Sequence, residues 1–127
     1  MLALVVGGCI NDKPLEGTLW ELDSYMNSAG NLVTVLPDTE VTAQFENGQV
    51  KGSGGCNNYW GDYTVNGDAI TIGLITKNQM YCFPDEINGQ EEDYLAALQS
   101  ATGYDISGSN LKMTNAGGDV VLIFTAA

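Results

Sequence analysis

The chain has no histidine and no arginine, and four lysines stand against sixteen carboxylates, giving a formal charge of −12 over 127 residues. Without histidine neither a Ser-His-Asp nor a Cys-His pair can be assembled. A zinc site would have to use three widely spaced cysteines, which do not read as a ligand set, so no metal is expected. Without arginine the chain lacks the planar fork that grips phosphate, and its acidity repels nucleic acid and anionic membrane surfaces alike. Nucleic acid is therefore not expected as a partner, and the acidity reads as solubility or a salty environment. Neither GxGxxG nor a P-loop pattern occurs, so no nucleotide or other cofactor is implied.

What is present is apolar and rich in glycine. Apolar residues make up 44% of the chain, enough for the core of one domain, and sixteen glycines point to many tight turns. With a single helical pattern, this predicts a mainly β (α+β) fold: an antiparallel curled sheet or partly open β-barrel of about 7–8 strands with one α-helix. The chain divides into a leader and tether, 1–14, and one domain, 15–127.

The leader Met1-Leu2-Ala3-Leu4-Val5-Val6-Gly7-Gly8-Cys9 looks like the end of a lipoprotein signal, with Val6 to Cys9 as lipobox and Cys9 as the lipid attachment point. It departs from a complete signal: no lysine precedes the apolar run, and that run is short. The alternative is an apolar leader with an incidental cysteine. On the first reading the protein is exported and meets a membrane only through that anchor.

Trp20 and Leu22 share one face of a first strand, with Trp20 expected as a core anchor. Val41, Ala43 and Phe45 alternate with polar residues before Asn47-Gly48, a type I′ hairpin signal. Tyr59, Gly61, Tyr63 and Val65 share a face of the next strand, and Asn66-Gly67 is a second such signal. Tyr104 and Ile106 pair with Leu111 and Met113 around Gly108-Ser109-Asn110. Val120 to Phe124 is apolar on both faces and reads as an inner strand. Tyr94, Leu95 and Leu98, with Ile87 before them, mark the helix, capped by Asp85 or Asn88 and ended by Gly103. Glu91, Glu92 and Asp93 are assigned to its first turns, where the helix dipole favours acids.

The densest stretch is Ser53-Gly54-Gly55-Cys56-Asn57-Asn58-Tyr59-Trp60-Gly61-Asp62-Tyr63. Cys56 and Cys82 form an even pair within the domain. If the protein is exported they should bond, contributing roughly 3–3.5 kcal/mol in the chain-entropy model; two buried free thiols are the alternative.

Gly17-Thr18-Leu19-Trp20, Gly54-Gly55-Cys56-Asn57-Asn58-Tyr59, Met80-Tyr81-Cys82 and Gln90-Glu91-Glu92-Asp93-Tyr94-Leu95 together resemble the META domain, or HslJ-like, family over about residues 15–125. The resemblance implies a small β-rich domain with one helix, often exported or lipid-anchored, with its paired cysteines on Cys56 and Cys82. Members are tied to heat shock, drug tolerance, motility and virulence but to no established reaction, and the fold is similar to a secretion pilotin. No catalytic residues carry over.

The expectation is a monomeric, non-enzymatic envelope or secreted domain that binds a protein segment or apolar ligand. Asn57, Asn58, Tyr59, Trp60 and Tyr63 are the candidate binding surface; core packing is the equal alternative for Tyr59 and Tyr63, and Trp60, pointing away from them, is the better surface candidate. The rivals are a hydrolase pairing Asp62 with Glu91 or Asp85, and a purely structural stress protein.

Overall fold

Period-two alternation carries almost the whole domain. The computed structural model describes residues 12–127, so the leader through Asn11, Cys9 included, lies outside the described residues. Nine strands and one helix follow in order: β1 Leu19–Met26, β2 Leu32–Thr34, β3 Thr42–Glu46, β4 Gln49–Ser53, β5 Asn58–Asn66, β6 Ala69–Lys77, α1 Glu86–Ser100, β7 Ala101–Ser107, β8 Asn110–Asn115 and β9 Val120–Ala126. All strand pairs are antiparallel, and β1 also pairs with β9. Eight strands thus close a barrel, while β2 is an extra strand on β1. The expected mainly β barrel with one helix is what the described residues form.

The inward faces are those the alternation marks. Trp20, Leu22, Ala43, Phe45, Val50, Tyr59, Tyr63, Ile70, Ile72, Leu111, Met113, Leu122 and Phe124 are buried. Val65, placed on the same face of β5 by the sequence pattern, lies near the strand's end and is exposed. Trp20 is fully buried and its indole N–H donates to the Leu15 carbonyl at 3.1 Å, so it is the core anchor expected of it. β9, apolar on both faces, has neighbours on both edges, as an inner strand must.

Turn chemistry follows the sequence in part. Asn47 and Gly48 both have positive φ (53° and 79°), as a type I′ turn requires. Asn66-Gly67 does not form that turn. Asn66 pairs with Ala69, so the loop is Gly67-Asp68, and only Gly67 has positive φ. Asn115 to Gly118 forms the expected turn before β9, with Asn115 N–H donating to Asp119 O at 3.0 Å.

The barrel is weakest between β6 and β7, which share the single residue pair Ala69↔Gly103. The helix interrupts the chain there and covers the gap. Its Tyr94 and Leu98 are fully buried, and Tyr94 meets Tyr59 and Phe124 edge-to-face with ring centroids 5.6 and 6.3 Å apart. Gln99 donates to the Ile72 carbonyl at 2.9 Å, serving a backbone acceptor that β7 does not reach. The helix ends at Ser100, not at Gly103, because Ala101 is already extended. Gly103 lies within β7 beside a register shift. Asp85 occupies the cap position but makes no side-chain cap bond; Asn88 instead donates to the Asp85 and Cys82 carbonyls. At the other end of the chain, Lys13 N–H and Asp12 Oδ1 bond Gly108, so the last residues of the expected tether dock on the β7–β8 turn.

Two glycines separate conformational need from packing need. A Cβ on Gly52 would lie 2.1 Å from the Thr42 carbonyl oxygen, whereas one on Gly89, inside α1, would meet nothing within 4 Å. Gly52→Ala should therefore destabilise the fold by about 3 kcal/mol, and Gly89→Ala should stabilise it by about 0.5–1 kcal/mol. Urea denaturation midpoints of the two variants check both signs.

Candidate functional site

The glycine-rich run is a cradle for an anion that the chain supplies itself. Gly55, at φ 109°, turns the backbone so that the successive N–H groups of Cys56 and Asn57 point to one place. Both reach Glu91 Oε2, at 3.1 and 2.6 Å. The other carboxylate oxygen, Oε1, accepts from Asn57 Nδ2 at 2.7 Å and from Lys77 Nζ at 3.3 Å. A Cβ on Gly54 would sit 2.7 Å from Glu91 Oε2, so the missing side chain there is the room the carboxylate occupies. Burial pushes the Glu91 pKa up, but these donors outweigh it and hold the carboxyl below its ordinary value.

Asn57 then ties the cradle to the next loop. Its Oδ1 accepts from Met80 N–H at 2.8 Å, and its Nδ2 donates back to the Met80 carbonyl at 3.1 Å. Asn88 makes the same two-way bond with Cys82, at 3.0 and 2.8 Å. Between these two clamps Cys56 and Cys82 are joined as a disulfide, 26 residues apart in sequence. In the chain-entropy model a loop of that length contributes about 3.5 kcal/mol.

Beneath the cradle, Tyr59 donates to the Thr42 carbonyl at 2.7 Å and accepts from the Tyr94 hydroxyl at 2.6 Å. Burial pushes both phenols well above the ordinary range, so neither ionises near neutrality. Gln90, beside Glu91, accepts from Leu36 N–H at 2.7 Å and donates to Thr39 at 3.0 Å, holding the β2–β3 loop. Among the described residues no buried side-chain nitrogen or oxygen lacks a partner.

The META domain model matches residues 13–127. The chain belongs to that family. Solved structures agree on the fold. An NMR structure of a protein from Burkholderia xenovorans is 25% identical with a TM-score of 0.69, the match covering 89% of this chain and 83% of that one. A second NMR structure is 18% identical with a TM-score of 0.64, over 87% and 90% of the two chains. A DUF4847 family protein from Bacteroides vulgatus is 16% identical with a TM-score of 0.59, over 87% and 93%. No curated protein matches the chain by sequence.

In this META domain the five surface candidates divide by strand parity. Asn57, Tyr59 and Tyr63 are buried: Asn57 holds Glu91, Tyr59 packs under α1, and Tyr63 packs on Phe45 with centroids 5.1 Å apart. They are core, not binding surface, because the inward face of β5 is filled by its own large side chains. Asn58 and Trp60 face outward, Trp60 with 38% of its surface exposed. They border a cleft of about 660 Å³ on the outer face, shared with Gln49, Lys51, Ser53 and Asn78. Nor does the helix dipole account for Glu91. It is the sixth helical residue, nearly fully buried, with both oxygens taken by its own chain.

The sequence reading overlooked a second surface. Tyr81 and Phe83, with 62% and 79% of their surface exposed, meet edge-to-face with centroids 5.4 Å apart, and Met80 is 59% exposed beside them. The apolar run Met80-Tyr81-x-Phe83 next to Pro84-Asp85-Glu86 was the available signal.

The lowered Glu91 pKa fixes the sign of an acid effect. Its stabilisation is complete above the unfolded pKa of about 4.5 and is lost as pH falls through the lower folded value. Glu91→Gln should cost about 2 kcal/mol at neutral pH. The gap between variant and parent should close as pH drops below about 4.5. Stability measured across pH 2–7 by urea unfolding checks both.

Proposed function

We propose that this META domain is a non-enzymatic, extracytoplasmic binding and assembly domain whose partner is a protein segment of apolar residues flanked by lysine or arginine. The observation that carries this reading is the rigid display of Tyr81 and Phe83. Large aromatics left in water are the usual anchors of protein interfaces. Here the loop that bears them is held by the Asn57 clamp, the Asn88 clamp and the Cys56–Cys82 disulfide. Such a loop has little freedom left to lose on association. The flanks set the partner's charge: Asp85 and Glu86 follow Phe83, and Phe83, Asp38 and Glu86 line one apolar cleft with Leu36, Pro37 and Ile87. A chain of charge −12 attracts a basic segment and repels an acidic one.

The disulfide supports an oxidising compartment, and the Val6-Gly7-Gly8-Cys9 pattern supports lipid attachment there. The hydrolase alternative pairs Asp62 with Glu91 or with Asp85, and its Glu91 form is disfavoured. Glu91 is buried with its oxygens committed and its pKa lowered, the reverse of a proton donor poised near neutrality.

The test is binding of a synthetic peptide of alternating leucine and lysine, followed by fluorescence anisotropy, against an equal-length leucine–glutamate peptide. The lysine peptide should bind, more weakly as salt rises, and the glutamate peptide should not. The double variant Tyr81→Ala/Phe83→Ala should weaken binding at least about tenfold, or 1.4 kcal/mol, while its melting temperature stays within about 2 °C of the parent. Equal binding of both peptides, or undiminished binding by the double variant, overturns the assignment.

A further inference from the structure

We infer that the outer-face cleft around Trp60 is a carbohydrate-binding subsite, separate from the Tyr81–Phe83 surface. Three observations lead there. The first is the indole. Trp20 spends its bulk in the core, but Trp60 stands on β5 with more than a third of its surface exposed, opposite Lys51 on β4 and Thr76 on β6. Its neighbours along the strand, Tyr59 and Gly61, are buried, so the backbone beneath it is fixed. An aromatic face carries negative charge density and attracts polarised C–H bonds. The carbon face of a pyranose ring presents such bonds across a flat area of similar size.

The second observation is the kind of polar group around it. Gln49, Asn58 and Asn78 supply three primary amides and Ser53 a hydroxyl. Each of these both donates and accepts, which is what a row of sugar hydroxyls requires, since each hydroxyl also does both. An apolar ligand covering the three amides would leave them unpaired at a cost of about 1–3 kcal/mol each. The cleft's volume of about 660 Å³ lies within the roughly 300–1,000 Å³ typical of small-ligand sites.

The third is charge. The chain has sixteen carboxylates, yet none lines this cleft, and the one ionic group there is Lys51. A cation would find no carboxylate, while a neutral sugar meets no repulsion and a uronic acid gains a counter-charge. The assignment is therefore to neutral or carboxylate-bearing oligosaccharides.

The experiment titrates three soluble probes into the whole domain: a chito-oligosaccharide, a cello-oligosaccharide and an oligogalacturonide. Binding is read from the indole N–H cross-peaks of Trp60 and Trp20 in nitrogen–proton correlation spectra. At least one probe should shift the Trp60 peak with a Kd of about 1 mM or tighter and leave the buried Trp20 peak in place. Trp60→Ala should reduce affinity at least about tenfold, read from amide cross-peaks of the cleft. Asn78→Ala, which leaves the indole in place, should reduce it severalfold. Lys51→Glu should weaken the oligogalacturonide more than the neutral sugars. The Tyr81→Ala/Phe83→Ala variant should bind sugar as the parent does, so failure of the peptide reading leaves this one intact, and the reverse. If no probe at about 10 mM moves the Trp60 peak, or if sugar binding survives both Trp60→Ala and Asn78→Ala, the cleft is not a carbohydrate site.

Discussion

The architecture depends on one buried carboxylate. Glu91 enters the barrel from the sixth position of α1 and is met by two backbone N–H groups, an amide side chain and an ammonium. Taking a carboxylate out of water costs several kcal/mol, and a hydrogen bond to a charged group contributes about 1.5–3 kcal/mol. Four such donors are enough to reverse the balance, which is why the carboxyl's pKa lies below rather than above its ordinary value. The interaction also joins elements distant in sequence: the β4–β5 loop, the end of β6 and the helix. Gly54 and Gly55 are fitted to it, one by leaving space and one by a backbone turn that a side chain would strain.

The covalent link and the polar link divide the work between them. A disulfide shortens the unfolded chain but leaves two pieces of backbone free to rotate about its bonds. The reciprocal bonds of Asn57 to Met80 and of Asn88 to Cys82 remove that freedom on either side of the bridge. The loop between β6 and α1 is consequently fixed despite having no regular structure and three large exposed apolar side chains. That combination is costly for a domain whose only task is to stay folded. It fits a surface whose apolar area is covered in use.

Strand parity, the inner β9, the core role of Trp20 and the Asn47-Gly48 turn were legible in the sequence, since each depends on neighbours along the chain or on one residue's conformational preference. The failures arise where strand register or tertiary packing decides the outcome. Asn66-Gly67 has the residues of a type I′ turn, but the register Asn66↔Ala69 moves the loop one residue on. Gly103 looks like a helix stop, yet β7 claims the chain from Ala101. Asn57 reads as surface, and Tyr59 as surface or core alike, because nothing local reveals that α1 lies over them. The helix held a usable sign: Gln90, Glu91, Tyr94, Ala97 and Leu98 are the buried set, so its inward stripe begins with two polar residues. Polar residues on a buried stripe imply buried partners. The Gly-Gly-Cys-Asn and Gln-Glu-x-x-Tyr-Leu runs are therefore two halves of one contact, and their co-occurrence reports architecture rather than a ligand.

The two proposed surfaces are both built from outward residues of the same segments. Asn78, just past the end of β6, borders the Trp60 cleft; Met80, Tyr81 and Phe83, a few residues on, form the aromatic surface. Asn78 N–H donates to the Asn58 carbonyl at 3.1 Å, and Asn58 is the residue after Asn57. The cleft rim and the aromatic loop are thus positioned by adjacent bonds of a single network, with Glu91 at its centre. A change that loosens the cradle disturbs both surfaces, whereas a substitution at Trp60 or Phe83 reaches only one. Rigidity here comes from the buried anion and its donors, and chemistry at the surface is left to side chains that the fold itself does not need.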